Sequence, residues 1–424
     1  MDRAVKKNLI LFLTGKVVAV LGSSIYAFVI GLYILAETGS SLNFAFTLVL
    51  SILPRILLAP IAGTLSDRLD RKKLIISSNI ASAVWLCGVL AAFTLATQEL
   101  WILYVSTAGL SVINTFYTIA VTSSIHNMVG QDNLQKAMSL NQAAISLSAI
   151  LGPVLGGVFF GIFQINLFMG LNIITYIISA IASILIKYDL YANKASLKKQ
   201  ASLSEDLKNG VSYIRSQPFL FHLVVISVWL NFWFAVFPVA MPYLVLTVRG
   251  MSSTHLGIIE GAFSVGMMVL ALVLSARKEI KRKEFSIMGG IVLLSSILIL
   301  IGVPAFPSII EMGNQIIFIY LIAQVLVLAA AIMFINIPVT VLLQKNTPDE
   351  YRGRVMSLLE TGSSAMTPLG FILFGFLLEK MPVWILLGVC GLSLVSLVMY
   401  LYREKMFLKL LREEVQDKTV AVEA

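Results

Sequence analysis

A chain of 424 residues that is 58% hydrophobic and 12% charged cannot bury its apolar surface in a soluble core. Soluble domains carry roughly a quarter of their residues as charges, whereas lipid accepts such a composition. The net charge of +9 would suit nucleic acid or a membrane surface; its confinement to short loops between apolar runs excludes nucleic acid.

In chain order, twelve runs are long enough to span a bilayer as helices: 9–35, 43–66, 74–96, 101–125, 137–162, 165–187, 219–247, 254–276, 286–304, 315–343, 355–378 and 382–402. Helices are required because open backbone cannot face lipid. The first run is too long for the apolar part of a cleavable leader, and no cleavage pattern follows it. The expected fold is an all-α membrane protein of two pseudo-repeated six-helix bundles, 1–187 and 218–402. Between them lies a linker, 188–217, and after them a tail, 403–424.

The basic residues test this count. Of 31 Lys and Arg, only Arg249 and Lys380 fall in one set of alternate loops, and Lys16 and Arg55 fall inside runs. All the others lie in the opposite loops and the tails, which predicts both termini in the cytoplasm. In the linker, Leu203, Leu207, Val211 and Ile214 recur at helical spacing after a candidate N-cap, Ser204. They read as a short amphipathic helix, or else as a solvated linker.

The halves repeat. The stretch from Gly130 to Leu140 aligns with that from Pro348 to Leu358, sharing Met-Ser-Leu, with Lys136 opposite Arg354. Each copy carries a helix-start signal, Asp132 with Gln135 in one and Thr347-Pro348 with Glu350 in the other. Gly152-Pro153-Val154-Leu155-Gly156 echoes Thr367-Pro368-Leu369-Gly370. A duplicated unit of this kind points to a binding site between the halves, near mid-membrane.

The hinge Gly63-Thr64-Leu65-Ser66-Asp67-Arg68-Leu69-Asp70-Arg71-Lys72-Lys73 joins the second and third runs. Gly63 is expected to allow close packing of its helix end, and the cations to set topology. In the fifth run, Gly152 and Gly156 have the small-xxx-small spacing that permits close helix approach. Pro153 between them bends a helix, so the stretch reads as a conformational element or as ordinary packing.

Ionisable groups within spans are functional candidates by default. Lys16, Arg55, Glu260 and Glu360 qualify as coupling residues. Glu260 and Glu360 each lie about two turns from a span end, so exposure at the interface competes with coupling. For the substrate, Trp229, Trp233 and Phe237 share one face at four-residue spacing, with Asn231 beside them. Such an aromatic wall suits a flat amphiphile and equally suits lipid. Asn141, Gln142, Gln324 and Asn336 are polar side chains in spans, fit to orient a ligand or to make packing hydrogen bonds.

These residues resemble the major facilitator superfamily, and within it the branch of macrolide-type and siderophore-type exporters. The hinge is similar to the superfamily signature Gly-x-Leu-Ala-Asp-Arg-x-Gly-Arg-Arg/Lys at Gly63, Leu65, Asp67, Arg68, Arg71 and Lys72, with Asp70 where the pattern has Gly. Gly152-Pro153-x-x-Gly156-Gly157 resembles the antiporter signature of drug exporters, with Ser139 and Ser148 replacing its upstream glycines. Arg352-Gly353-Arg354 resembles the same branch. The resemblance implies alternating access, with a gate at Gly63, Asp67, Arg68 and Arg71 in which Asp67 latches onto the helix start bearing Arg352 and Arg354. The family often carries an Arg in the fourth span; residues 101–109 hold none.

The function expected is proton-coupled efflux of amphiphilic small molecules such as drugs or macrolides. Its partners would be that substrate, protons and the lipid bilayer, and the protein would act as a monomer in a bacterial plasma membrane. Proton-coupled uptake, siderophore or lipid export and a non-transporting receptor are the alternatives. An enzyme is disfavoured, because His126, His222 and His255 are scattered without metal-ligand or acyl-transfer spacing. Cys87 and Cys390 sit in opposite halves, so neither a disulfide nor a metal site is expected, and no cofactor. ATP-driven transport fails because Gly15-Lys16 is followed by Val17 and Ile10 stands where a phosphate loop needs Gly.

Overall fold

The computed structural model describes residues 3–95, 99–191, 211–277, 280, 282–347 and 349–403. Among the described residues every regular element is helical, and twelve helices are long and apolar enough to cross a membrane. Helix α1, Arg3–Thr38, starts ahead of the expected position 9 and takes in Arg3, Lys6 and Lys7. Long cationic side chains can keep their charged ends in water while their stems lie on the helix.

Helix α2, Ser41–Arg68, begins where the Ser40 hydroxyl accepts from the Asn43 N–H at 3.1 Å. Helix α3, Arg71–Leu95, follows Asp70, whose carboxylate accepts from the Lys73 N–H at 3.3 Å. Asp70 is thus an N-cap, a role glycine fills less well. Helices α4, Leu100–Val129, and α5, Gln131–Phe160, meet at the single residue Gly130, with φ +74°. That positive φ suits glycine, and it corrects the expected capping by Asp132, which lies in the first turn of α5 instead. Helix α6 is Ile165–Leu185.

Residues 211–216 are helical, so Val211 and Ile214 lie on a helix as expected. Leu203, Ser204 and Leu207 fall outside the described residues. The seventh span is not the continuous helix expected. Its first part, α7 (Pro218–Phe234), stops at Ala235, resumes as Val236–Pro242 and ends as a π-helix, Tyr243–Val248. Pro238 lacks the N–H that would bond the Phe234 carbonyl, and its ring crowds that oxygen, which accounts for the break.

Four more spans complete the chain after α8, Ser253–Ser275. These are α9, Lys283–Gly302, and α10, Asn314–Asn346; then α11, in two pieces, Asp349–Ala365 and Thr367–Leu378, and α12, Val383–Arg403. The interruption of α11 at Met366 lies just ahead of Pro368.

The described residues fall into two compact units, those of 1–200 with Ser252–Gly261, and those of 201–251 with 262–424. The first turns of α8 therefore pack with the N-terminal helices. In the first unit α1 packs on α5 and α6, α2 on α4, and α3 on both α4 and α6. One apolar core gathers Tyr26, Leu86, Phe93, Leu103 and Tyr176, and a second gathers Phe12, Ile75, Ile125 and Met128. In the second unit α9 packs on α10 and α12, and α7 on α11.

Candidate functional site

In the first unit, α1, α2, α4 and α6 enclose an open cavity of about 250 Å³. Arg55 of α2 lines it together with Ser23, Ser51, Thr107, Ser111, Asn114 and Tyr176, while Leu110 and Ala27 give it an apolar patch. Arg55 is exposed and makes no hydrogen bond or ion pair with another described residue. The hydroxyls behave differently. Ser51 donates to the Leu48 carbonyl at 2.7 Å, Ser111 to the Ser51 carbonyl at 2.7 Å, and Thr107 to the Leu103 carbonyl at 2.9 Å. Thr115 donates to the Ser111 carbonyl at 2.8 Å. Between α4 and α6 the Asn114 amide donates to the Tyr176 hydroxyl at 3.2 Å, which lies 3.0 Å from Ser23 Oγ, and Ser23 donates onward to the Ala19 carbonyl.

Lys16, about two turns before Ser23 on α1, is 4% exposed, with its ammonium 5.1 Å from the centre of the Tyr117 ring. No carboxylate pairs with it among the described residues. Beside it, an added Cβ at Gly15 would sit 3.0 Å from Ala182 of α6, so α1 and α6 are in close contact here.

The α5 signature is a set of contact points. A Cβ at Gly152 would come within 2.6 Å of Ser24, and one at Gly156 within 2.8 Å of Phe28, both on α1. The other side of α5 meets α8. A Cβ at Gly157 would collide with the Ser253 carbonyl, and one at Gly257 with the Pro153 carbonyl. Ser253 Oγ also donates to the Gly157 carbonyl at 2.8 Å, one of the last four carbonyls of α5 that no helical N–H can reach. The sequence reading missed Ser253, Gly257 and Gly261. Their four-residue spacing is itself a small-xxx-small signal. Glu260, on the same turns of α8, is half-buried and makes no hydrogen bond or ion pair with another described residue.

In the second unit Asn231 and Asn336 come together, lining two adjoining cavities of about 150 and 50 Å³ with Leu230 and Ile335. The aromatic wall divides at the break in α7. Trp229 and Trp233 lie 5.8 Å apart and Trp233 packs 5.9 Å from Phe374, whereas Phe237 is buried between Phe234 at 5.5 Å and Phe263 at 5.4 Å. Among the described residues the Nε1 of Trp233 and the Oε1 of Gln324 are buried without a partner, as is the Oδ1 of Asn141 in the first unit. Gln142 is exposed.

The hinge is partly structural. Arg71 donates to the Ser123 carbonyl at 2.7 Å, and Lys72 donates to the carbonyls of Ile184 and Ile186 at the end of α6, at 2.9 and 3.1 Å. A cation there also meets the negative end of the helix dipole. The close packing expected at Gly63 is not seen: among the described residues a Cβ added to it meets no atom within 4 Å beyond its own helix backbone and chain neighbours. The backbone of Asp67, Arg68, Arg352, Arg354 and Glu360 is helical; their side chains, on which the expected latch and one coupling candidate depend, lie outside the described residues.

Arg249 was read only as an exception to the charge pattern. It is 7% exposed, and its guanidinium donates to the carbonyls of Pro304, Ile309, Ile310 and Met312 and to Asn314 Oδ1, the last at 3.0 Å. The Asn314 amide returns a bond to the Arg249 carbonyl at 3.2 Å. This cation joins the end of the seventh span to the α9–α10 connection.

Among known proteins, the family model described as Major Facilitator Superfamily matches residues 12–358 and 238–423. The chain is 24% identical over 395 residues to the uncharacterized MFS-type transporter YfiS of Bacillus subtilis, covering 92% of each chain. It is 23% identical over 383 residues to macrolide efflux protein A of Streptococcus pyogenes, covering 88% of this chain and 90% of the other. Its fold matches a bacterial homologue of the iron transporter ferroportin, solved in an inward-facing state, with a TM-score of 0.68 at 14% identity, covering 94% of this chain and all of that one.

Proposed function

From the Major Facilitator Superfamily, to which this chain belongs, we infer a multi-pass secondary transporter that exports amphiphilic small molecules in exchange for protons. The observation that carries this reading is the α5 signature, in which Gly152, Gly156 and Gly157 are all close-approach positions against α1 or α8. Residues this tightly fitted change their packing in discrete steps rather than continuously, as alternating access requires. The efflux direction is supported by the likeness to macrolide efflux protein A.

In this reading the bundles 1–187 and 218–402 alternate, joined by the linker 188–217. Both termini, with the tail 403–424, face the cytoplasm across a bacterial plasma membrane, and the monomer is the working unit. Glu260 and Glu360 are the proposed proton carriers, and the hinge around Asp67 the proposed gate. Proteoliposomes with an imposed pH gradient, offered lipophilic cations, macrolides and hydroxyl-bearing carboxylates, test the reading. Substrate-dependent proton movement that Glu260→Gln or Glu360→Gln removes supports antiport; binding without flux for every compound favours a receptor.

A further inference from the structure

We propose that the Arg55 cavity holds the anionic, hydroxyl-bearing end of the transported molecule, a hydroxycarboxylate group. This deepens the exporter reading and rests on it for transport, but not for binding. The cavity's donors and acceptors carry the inference. Arg55 brings five N–H groups in a planar fork, none of them bonded to another described residue. An arginine inside a span faces a partner or a water-filled cavity and marks a substrate pathway, and no Asp or Glu lines this cavity among the described residues.

The hydroxyls that line the cavity with Arg55 are committed as donors. Ser51, Ser111, Thr107 and Thr115 each give their proton to a backbone carbonyl. A hydroxyl whose O–H is engaged as a donor retains two acceptor lone pairs. Between α4 and α6 the Asn114 amide donates toward Tyr176, and the side-chain carbonyl of Asn114 remains an acceptor. The cavity therefore offers one concentrated donor fork and several acceptors. A matching ligand presents an anion to Arg55 and its own O–H or N–H donors to the hydroxyls. A lipophilic cation satisfies neither demand, and a carboxylate without donors satisfies only the first. Bidentate pairing of Arg with a carboxylate is the strong form of this contact. At about 250 Å³ the cavity admits a small polar group, leaving the apolar remainder of an amphiphile outside it.

The test is equilibrium binding to the full-length protein in nanodiscs, using radiolabelled citrate, with tricarballylate, which lacks only the hydroxyl, and tetraphenylphosphonium as competitors. Citrate is expected to bind saturably and to be displaced several-fold more weakly by tricarballylate and not by the cation. Arg55→Gln is expected to weaken citrate binding at least about tenfold, the loss of a charged hydrogen bond, and Arg55→Lys by less. Equal affinity for citrate and tricarballylate overturns the hydroxyl part. Unchanged citrate binding in Arg55→Gln, or no citrate binding to the wild type, overturns the site. The wild-type competition needs no variant, so misfolding of Arg55→Gln does not affect it. Flux separates the two readings. Citrate held through Arg55 but never moved sinks the exporter and keeps the site, whereas cation export that Arg55→Gln leaves intact, with no citrate bound, does the reverse.

Discussion

Gly257 of α8 lies so close to Pro153 of α5 that a methyl group on its Cα would collide with the Pro153 carbonyl oxygen. The atom in the way is backbone, which cannot swing aside as a side chain can. Gly257→Val is therefore expected to force α5 and α8 apart, at a cost of about 1–3 kcal/mol from overpacking. Gly63→Ala is the contrast. Among the described residues its added Cβ has open space, and Ala is favoured over Gly inside a helix by up to about 1 kcal/mol. Thermal unfolding in detergent should lower the midpoint for Gly257→Val and hold or raise it for Gly63→Ala; a neutral Gly257→Val would mean that the seam yields easily.

Arg249→Ala removes the donor from five oxygens at once. Orphaned acceptors in a buried site cost about 1–3 kcal/mol each where water cannot replace the partner. This connection is partly open to solvent, so the expected total is on the order of 3 kcal/mol. Arg249→Lys keeps the charge but not the fork, and should recover less than half. Limited proteolysis of the α9–α10 connection is the direct check: faster cleavage in Arg249→Ala supports the clasp, and an unchanged pattern removes it.

Glu260→Gln tests proton coupling at a carboxylate that makes no bond with another described residue. Gln nearly matches its shape but carries no titratable proton. Substrate binding is expected to persist while exchange driven by a pH gradient is largely lost, because Gln has no proton to carry. Full retention of gradient-driven exchange would hand the role to Glu360.

Much of this architecture was legible in the sequence. Twelve apolar runs became twelve spans because lipid leaves the backbone no alternative to helix, and Gly152, Pro153 and Gly156 stood out because a proline between two glycines resembles a known signature, whereas the equally spaced Ser253, Gly257 and Gly261 have no such mark. What stayed hidden depended on neighbours. Phe237 shares a spacing with Trp229 and Trp233, yet Pro238 breaks the helix between them and gives it different partners. Arg249 looked like a stray loop charge because its partners are carbonyls, which every residue carries and no motif marks. Gly63 looks like a packing glycine by its place in the hinge, and only its surroundings show that, among the described residues, an added Cβ would have open space. The cavity's polarity was equally invisible, since direction of donation belongs to geometry and not to composition.

Lys16→Met separates stability from function most directly. The lysine is 4% exposed beneath the Tyr117 ring, with no carboxylate partner among the described residues. Removing an ammonium from water is expensive, and the attraction to one ring recovers on the order of 2 kcal/mol when desolvated. Methionine has nearly the same length and fills irregular space well. The substitution is therefore expected to raise the melting midpoint, by several degrees for about 1–2 kcal/mol of relief. A buried charge inside a span kept at a cost to stability is a functional candidate, so transport by Lys16→Met is expected to fall well below wild type. A variant that is more stable and equally active would show that Lys16 is a tolerated packing residue. A less stable variant would show that the Tyr117 contact outweighs desolvation.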